Sequence, residues 1–373
     1  MKSRDSSTRD YSPNPRPTRT ERLRRRRRKQ ITILVILGAL ALILIISAIF
    51  VLKDAMGGDG EETTPDTSVV LEATTPSPEE TTEPDEESEE TTVPVTDPPA
   101  AGYTTIVLSA ADVGAGPLVL VNTTHAYTFP NGEANISNLY EANERTQAPD
   151  GTMKSLYQLA GSKNILLDST ALVHFKNMCR ALVAEKGYNV YIGNNGGYRS
   201  YATQEALYKG NPVKATPPGQ SDHNSGYGIN IDVFMNNAIY NLNSSNDTCR
   251  TILAWINGNA HKYGFVRRFD PAKESYTGMP AGLDDWHYRY VGEPHAYYMT
   301  QNNLCLEEYI AVLENYYVYG ENHLKITTDT GKQYEIYFVA QGEGGTTTVP
   351  VPTGKSYAVS GNNHSGFIVT VEA

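Results

Sequence analysis

Cysteine is scarce: the 373-residue chain has three, Cys179, Cys249 and Cys305, an odd number at wide and irregular spacing. That excludes a disulfide framework and a zinc ribbon, and leaves all three as small apolar packing residues. Repeats of solenoid type are missing, as is the regular strand–helix alternation of a doubly wound sheet. Bases are missing from residues 54–100, which hold fifteen acids and no Lys or Arg. Charge of either sign is missing from Ile31–Leu52.

What is present is divided as sharply. Residues 1–30 carry twelve Lys or Arg against three acids, so a formal net charge of −11 leaves −20 on the rest. The uncharged run ITILVILGALALILIISAIFVL is 22 residues long. At about 1.5 Å per residue it spans a hydrocarbon core of roughly 30 Å. RLRRRRRK, from Arg22 to Lys29, is the cytoplasmic flank that the positive-inside rule requires. Beside such a span it reads as a topology signal rather than a nucleic-acid patch. A cleaved signal peptide would have a shorter apolar region and a small-residue cleavage site, whereas Lys53 and Asp54 follow here. The reading is a cytoplasmic tail (1–30), a transmembrane helix (31–53) and an external remainder. Residues 54–100 have too little apolar content to bury and repel themselves, so they predict a disordered stalk.

Apolar periodicity returns near Tyr103. Leu118–Asn122 reads as a short buried strand. Ser169–Lys186 places Leu172, Phe175, Met178, Cys179, Leu182 and Val183 at helical spacing, with Gly187 as the stop. Tyr188–Ile192 and Tyr227–Phe234 are strand-like, and Thr248–Tyr263 reads as a helix closed by Gly264. Short strands mixed with helices indicate an α+β fold. Alternating segments at Tyr334–Val339, Thr346–Val351 and Gly366–Val371 indicate a small β appendage over 320–373.

The chemistry gathers in three strings: GGYRSYATQ (196–204), SDHNSGYGINID (221–232) and DDWHYRYVG (284–292). Two histidines, His223 and His287, stand near carboxylates on glycine-flanked segments, compatible with a metal site. The other six histidines lack such surroundings and read as surface or packing residues.

The order and spacing of the strings resemble those of the VanY-type D-alanyl-D-alanine carboxypeptidases. That family places S-G-Y-R-S before S-x-H-x-x-G-x-A-x-D and then E-x-W-H-x-R-Y. The resemblance covers roughly residues 118–299. It implies a small mixed sheet with flanking helices, Hedgehog-like, over a domain at 101–319. It further implies one Zn2+ held by His, Asp and His, a Glu general base, and release of a terminal D-amino acid from peptidoglycan stem peptides. Carried over, His223 and His287 match the outer metal ligands, and Arg199 the arginine that grips the substrate or its developing oxyanion. A guanidinium suits that task because it stays charged and offers a donor fork. Ser200, Gln204, Ser221 and Trp286 fall on motif positions assigned to substrate binding, and Tyr198, Gly226 and Arg289 also match.

Departures touch the chemistry. Asn230 stands where the family has its ligating Asp, and Asp284 where it has the base Glu; Gly196 and Gly228 replace a Ser and an Ala. Asn230 is neutral, and Asp284 is one methylene short, a retraction of ~1 Å or slightly more. Asp232 shares the strand face of Asn230 and is a substitute ligand, but two residues along a strand is about 6.6 Å. Asp285, beside Asp284, is a similar stand-in. An active zinc carboxypeptidase, a degenerate relative that binds stem peptides without cutting them, and a structural module are the three readings.

The topology is testable. Protease added to intact cells should remove the ectodomain and leave the amino-terminal tail protected; recovery of a secreted protein beginning after residue 53 would overturn the anchor.

Overall fold

The longest of the described helices forms where the sequence is most regular. Helix α1, Ser169–Lys186, is capped by Asp168, whose carboxylate accepts from the Thr170 and Ala171 amides, and ends at Gly187 with φ of 71°. Its buried stripe is the one the periodicity marks. The computed structural model describes residues 100–130, 135–279 and 286–373. The basic tail, the apolar span, the stalk to residue 99, and Asp284 with Asp285 lie outside the described residues. Among the described residues no helix is long and apolar enough to cross a membrane.

The other long helices are α2 (Tyr201–Gly210), α3 (Asp247–Asn259), α4 (Glu293–Gln301) and α5 (Leu306–Tyr316). The principal strands are β1 (Tyr103–Ser109), β2 (Tyr157–Leu159), β3 (Val190–Ile192), β4 (Gly228–Asn230), β5 (Asp232–Met235), β6 (Ala238–Asn241), β7 (Phe265–Arg267) and β8 (His287–Tyr290). Beyond them come β9 (Leu324–Thr327), β10 (Gln333–Ala340), β11 (Thr346–Pro352), β12 (Tyr357–Gly361) and β13 (Gly366–Glu372). This is a mixed α/β fold. One sheet has the order β6-β5-β3-β2, and a second has β7-β8-β4. Helices α1 and α3 pack with both into one apolar core. The segment after residue 320 forms a sheet ordered β9-β10-β13-β12, while β11 pairs along its whole length with β1 from the front of the described chain.

Two sequence expectations are corrected here. The strand expected over Tyr227–Phe234 is two strands in different sheets, because the chain crosses at Ile231. The Asn230 amide donates to Gly196 O (2.7 Å) and the Ile231 amide to Trp286 O (3.1 Å). Alternation still holds, since Ile229, Ile231 and Val233 are all buried. The Leu118–Asn122 run is buried as expected but is irregular rather than a strand. Its carbonyls are taken by side chains: Arg289 Nη2 donates to Pro117 O and Val119 O, both at 2.9 Å, and Asn363 Nδ2 to Leu120 O at 2.8 Å. Buried acceptors need partners, and side chains supply here what a ladder supplies elsewhere.

A second apolar core lies between α4, α5 and β10, and one imidazole ties it to the C-terminal sheet. His295 is buried, with Nδ1 2.7 Å from Tyr309 Oη on α5 and Nε2 2.9 Å from Thr370 Oγ1 on β13. Burial pushes its pKa down to about 3. The unfolded chain binds this proton near pH 6.5 and the folded chain does not. The stabilisation is therefore complete above about pH 6.5 and is lost as pH falls toward 3, at up to about 1.4 kcal/mol per pH unit. A His295→Gln variant should lose less of its urea midpoint than the parent between pH 7 and pH 4.5. Parallel pH profiles would refute this.

Candidate functional site

Local structure brings the first two strings together. Gly197 sits where a Cβ would lie 2.1 Å from Leu166 O, so only glycine passes this point. The close approach lets the Tyr198 amide donate to Leu166 O (2.7 Å) and turns Gly197 O toward the His223 ring. The Arg199 amide then donates to His223 O at 3.1 Å. Arg199 is held by Nε to Asn195 O (2.8 Å) and by Nη1 to Gln204 Oε1 (3.3 Å). Gln204 is fully buried and anchored through Nε2 to Thr216 O. It acts on the site by positioning Arg199. Ser200 caps α2 through a 3.2 Å bond to the Thr203 amide. Ser221 is buried and opens the turn Asp222–Ser225, and Trp286 packs against the main core.

The two histidines stand edge to face, ring centroids 4.5 Å apart. Each has one nitrogen committed. His223 Nδ1 donates to Gly197 O (2.7 Å), which leaves Nε2 as a lone pair, buried and without a partner among the described residues. Burial, then the nearby Arg199 and His287, keep its pKa well below the ordinary value, so the ring is neutral. His287 Nε2 lies 2.8 Å from Asp222 Oδ2, and Nδ1 lies 2.7 Å from the Asn230 carboxamide. With Nε2–H given to Asp222, Nδ1 is a lone pair. The oxygen and nitrogen of the Asn230 carboxamide exchange places by a half-turn of the amide. Gly228 is the other close neighbour. A Cβ there would lie 2.6 Å from the His287 ring and 2.8 Å from Asp222 Oδ2.

Asp222 is the residue that sequence reasoning missed. It is buried beneath His287, pairs with Arg289, and has Arg268 Nε at 3.6 Å. Burial opposes its charge, but Arg289, His287 and Arg268 together hold its pKa far below the usual carboxylate range. Arg268 makes a bidentate pair with Glu307 on α5 (2.9 and 2.6 Å), and Asn122 donates to the same carboxylate. The sequence signal was an acid directly before His223. Nothing local announces its partners, 46 to 67 positions away.

The donor set fits a divalent ion. His223 Nε2 is an orphaned buried lone pair, His287 Nδ1 is fixed as a ligating atom by the carboxylate behind it, and Asn230 offers a carboxamide oxygen. Among the described residues no three His, Cys, Asp or Glu side chains form a metal-holding group. Asp232 therefore does not complete the pair. It lies on β5, in the other sheet, opposite Tyr191 and Asn241.

Comparison with known proteins gives the chain its family. The family model described as VanY, D-alanyl-D-alanine carboxypeptidase, matches residues 164–293. A D-alanyl-D-alanine carboxypeptidase of Enterococcus faecium is 31% identical over 265 residues, which is 71% of this chain and 78% of that protein. The structure of a vancomycin-resistance D,D-dipeptidase, VanXYg, bound to a D-Ala-D-Ala phosphinate analogue, superposes with a TM-score of 0.58 at 24% identity. It covers 73% of this chain and 99% of that one. A VanY D,D-pentapeptidase solved with Zn(II) aligns over 52% of this chain and 98% of its own, at 23% identity and a TM-score of 0.35. The chain belongs to the VanY D-alanyl-D-alanine carboxypeptidase family.

Proposed function

We propose that this chain is a membrane-anchored zinc carboxypeptidase that removes a terminal D-amino acid from peptidoglycan stem peptides outside the cell. The observation that carries this reading is the pair of committed imidazoles, whose ligating nitrogens, His223 Nε2 and His287 Nδ1, are set by Gly197 O and Asp222. These two and Asn230 would hold the ion. When bound, zinc supplies Lewis acidity to a peptide carbonyl and acidifies a water. Arg199, pre-set by Gln204 and Asn195, receives the substrate's terminal carboxylate through a charge-assisted contact. Asp222 keeps His287 in one tautomer. Asp284, in the general-base position, lies outside the described residues.

A second reading, a relative that binds stem peptides without cutting them, is favoured by Asn230. Its carboxamide satisfies His287 Nδ1 directly. The nearby carboxylates, Asp222 and Glu307, are spent on Arg289 and Arg268, so little negative charge is left to hold a dication.

Two measurements separate these readings. Zinc stoichiometry and D-alanine release from a stem pentapeptide are compared for the full-length parent, Asn230→Asp, Asp284→Glu and the double variant. Asn230→Asp should raise zinc affinity by adding charge, and the double variant should release D-alanine faster than either single variant. A parent that already holds one zinc tightly and cleaves as fast as the double variant would eliminate the non-cleaving reading. An Asn230→Asp protein that binds no zinc would eliminate the metal assignment.

Arg199→Ala should weaken binding of a peptide ending in D-alanine by roughly 1.5–3 kcal/mol, the worth of a hydrogen bond to a charged group. Unchanged affinity removes Arg199 from the site.

A further inference from the structure

A cavity of about 390 Å³ opens between the family-matched segment and the C-terminal sheet. It falls within the roughly 300–1,000 Å³ range of small-molecule sites. None of its lining residues belongs to the metal and arginine constellation. On one side it is walled by Thr170 and His174 of α1 and by Tyr290 of β8, and on the other by Lys332, Tyr334 and Val359. Glu293, at the start of α4, closes it and pairs with Lys332 at 3.3 Å.

The walls alternate rings with hydrogen-bonding groups. His174 lies against Tyr290, centroids 5.0 Å apart, and Tyr290 stacks on Tyr227 at 6.4 Å. No hydrogen bond joins the His174 ring nitrogens or the Tyr290 hydroxyl to another of the described residues. Burial lowers the His174 pKa, so its ring is neutral and offers one donor and one acceptor. The formal charges are one acid and one base, already paired. An anion would meet Glu293 and a cation Lys332, while a purely apolar ligand would strand the imidazole and the phenol without water. A neutral ring with apolar C–H faces and hydroxyl edges fits all of these walls, stacking on the rings and bonding at its rim.

We propose that this cavity binds a neutral pyranose, one saccharide unit held jointly by α1, β8 and the C-terminal sheet. Such a site gives the chain a grip on glycan separate from its grip on peptide.

Calorimetric titration of the full-length protein with N-acetylglucosamine, its β-1,4 disaccharide and cellobiose tests the proposal without any peptide present. At least one sugar should bind saturably. His174→Leu, which removes the free donor and acceptor, should weaken it at least about tenfold. Ala358→Tyr fills the cavity from an exposed strand position, and should do the same without disturbing the fold. Arg199→Ala should bind sugar as the parent does. No saturable binding of any of the three up to about 10 mM, a weak limit by this scale, overturns the proposal. So do parental affinity in both cavity variants, and loss of binding on Arg199→Ala, which would put the sugar in the peptide cleft. Because no cleavage is measured, failure here leaves the carboxypeptidase reading untouched.

Discussion

Asp222 sits without solvent between His287, Arg289 and Arg268, and the remainder of the site is arranged around keeping that carboxylate ionised. A charge taken out of water is costly unless its partners are close and fully bonded, and removing one partner of a buried pair costs about 3–5 kcal/mol. Each guanidinium in turn requires acceptors. Arg289 finds them in the Pro117 and Val119 carbonyls and Arg268 in Glu307. The irregular course of the 117–122 segment and the docking of α5 are thus parts of one electrostatic arrangement. Its visible product is an imidazole that cannot turn.

Much of this was legible in the sequence because its signals are local. Helix α1 announces itself with a 3.6-residue apolar period and Gly187. The motif residues His223, His287 and Arg199 are linear patterns, and the structure does bring the two histidines together. The failures have a common physical source. Leu118–Asn122 has the composition of a strand, and only the side chains that claim its carbonyls, Arg268, Arg289 and Asn363, all more than 140 positions away, explain why it is not one. The alternation through Asn230 and Asp232 was read correctly, but the change of sheet at Ile231 depends on Gly196 and Trp286, which that segment does not contain.

The neutral Asn230 marks a division of labour. In the family pattern one carboxylate contributes both geometry and charge beside the ion. Here the geometry is retained by a carboxamide at the same register, opposite His287 in the β8–β4 pair. The negative charge stands on the far side of the imidazole, in Asp222, where the arginines already answer it. A site built this way is ordered by its own hydrogen bonds, from Gly197 O to His223 and from Asp222 and Asn230 to His287.

Gly228 carries a consequence for how the site can change. Its missing methyl group is the space into which the His287 ring and Asp222 have closed. The glycine at 228 and the amide at 230 are therefore not independent departures from the family pattern. A side chain at 228 would push the ring away from Asp222 before anything at 230 could take advantage of the movement. A side chain larger than hydrogen at 228 is compatible only with a ring that stands elsewhere.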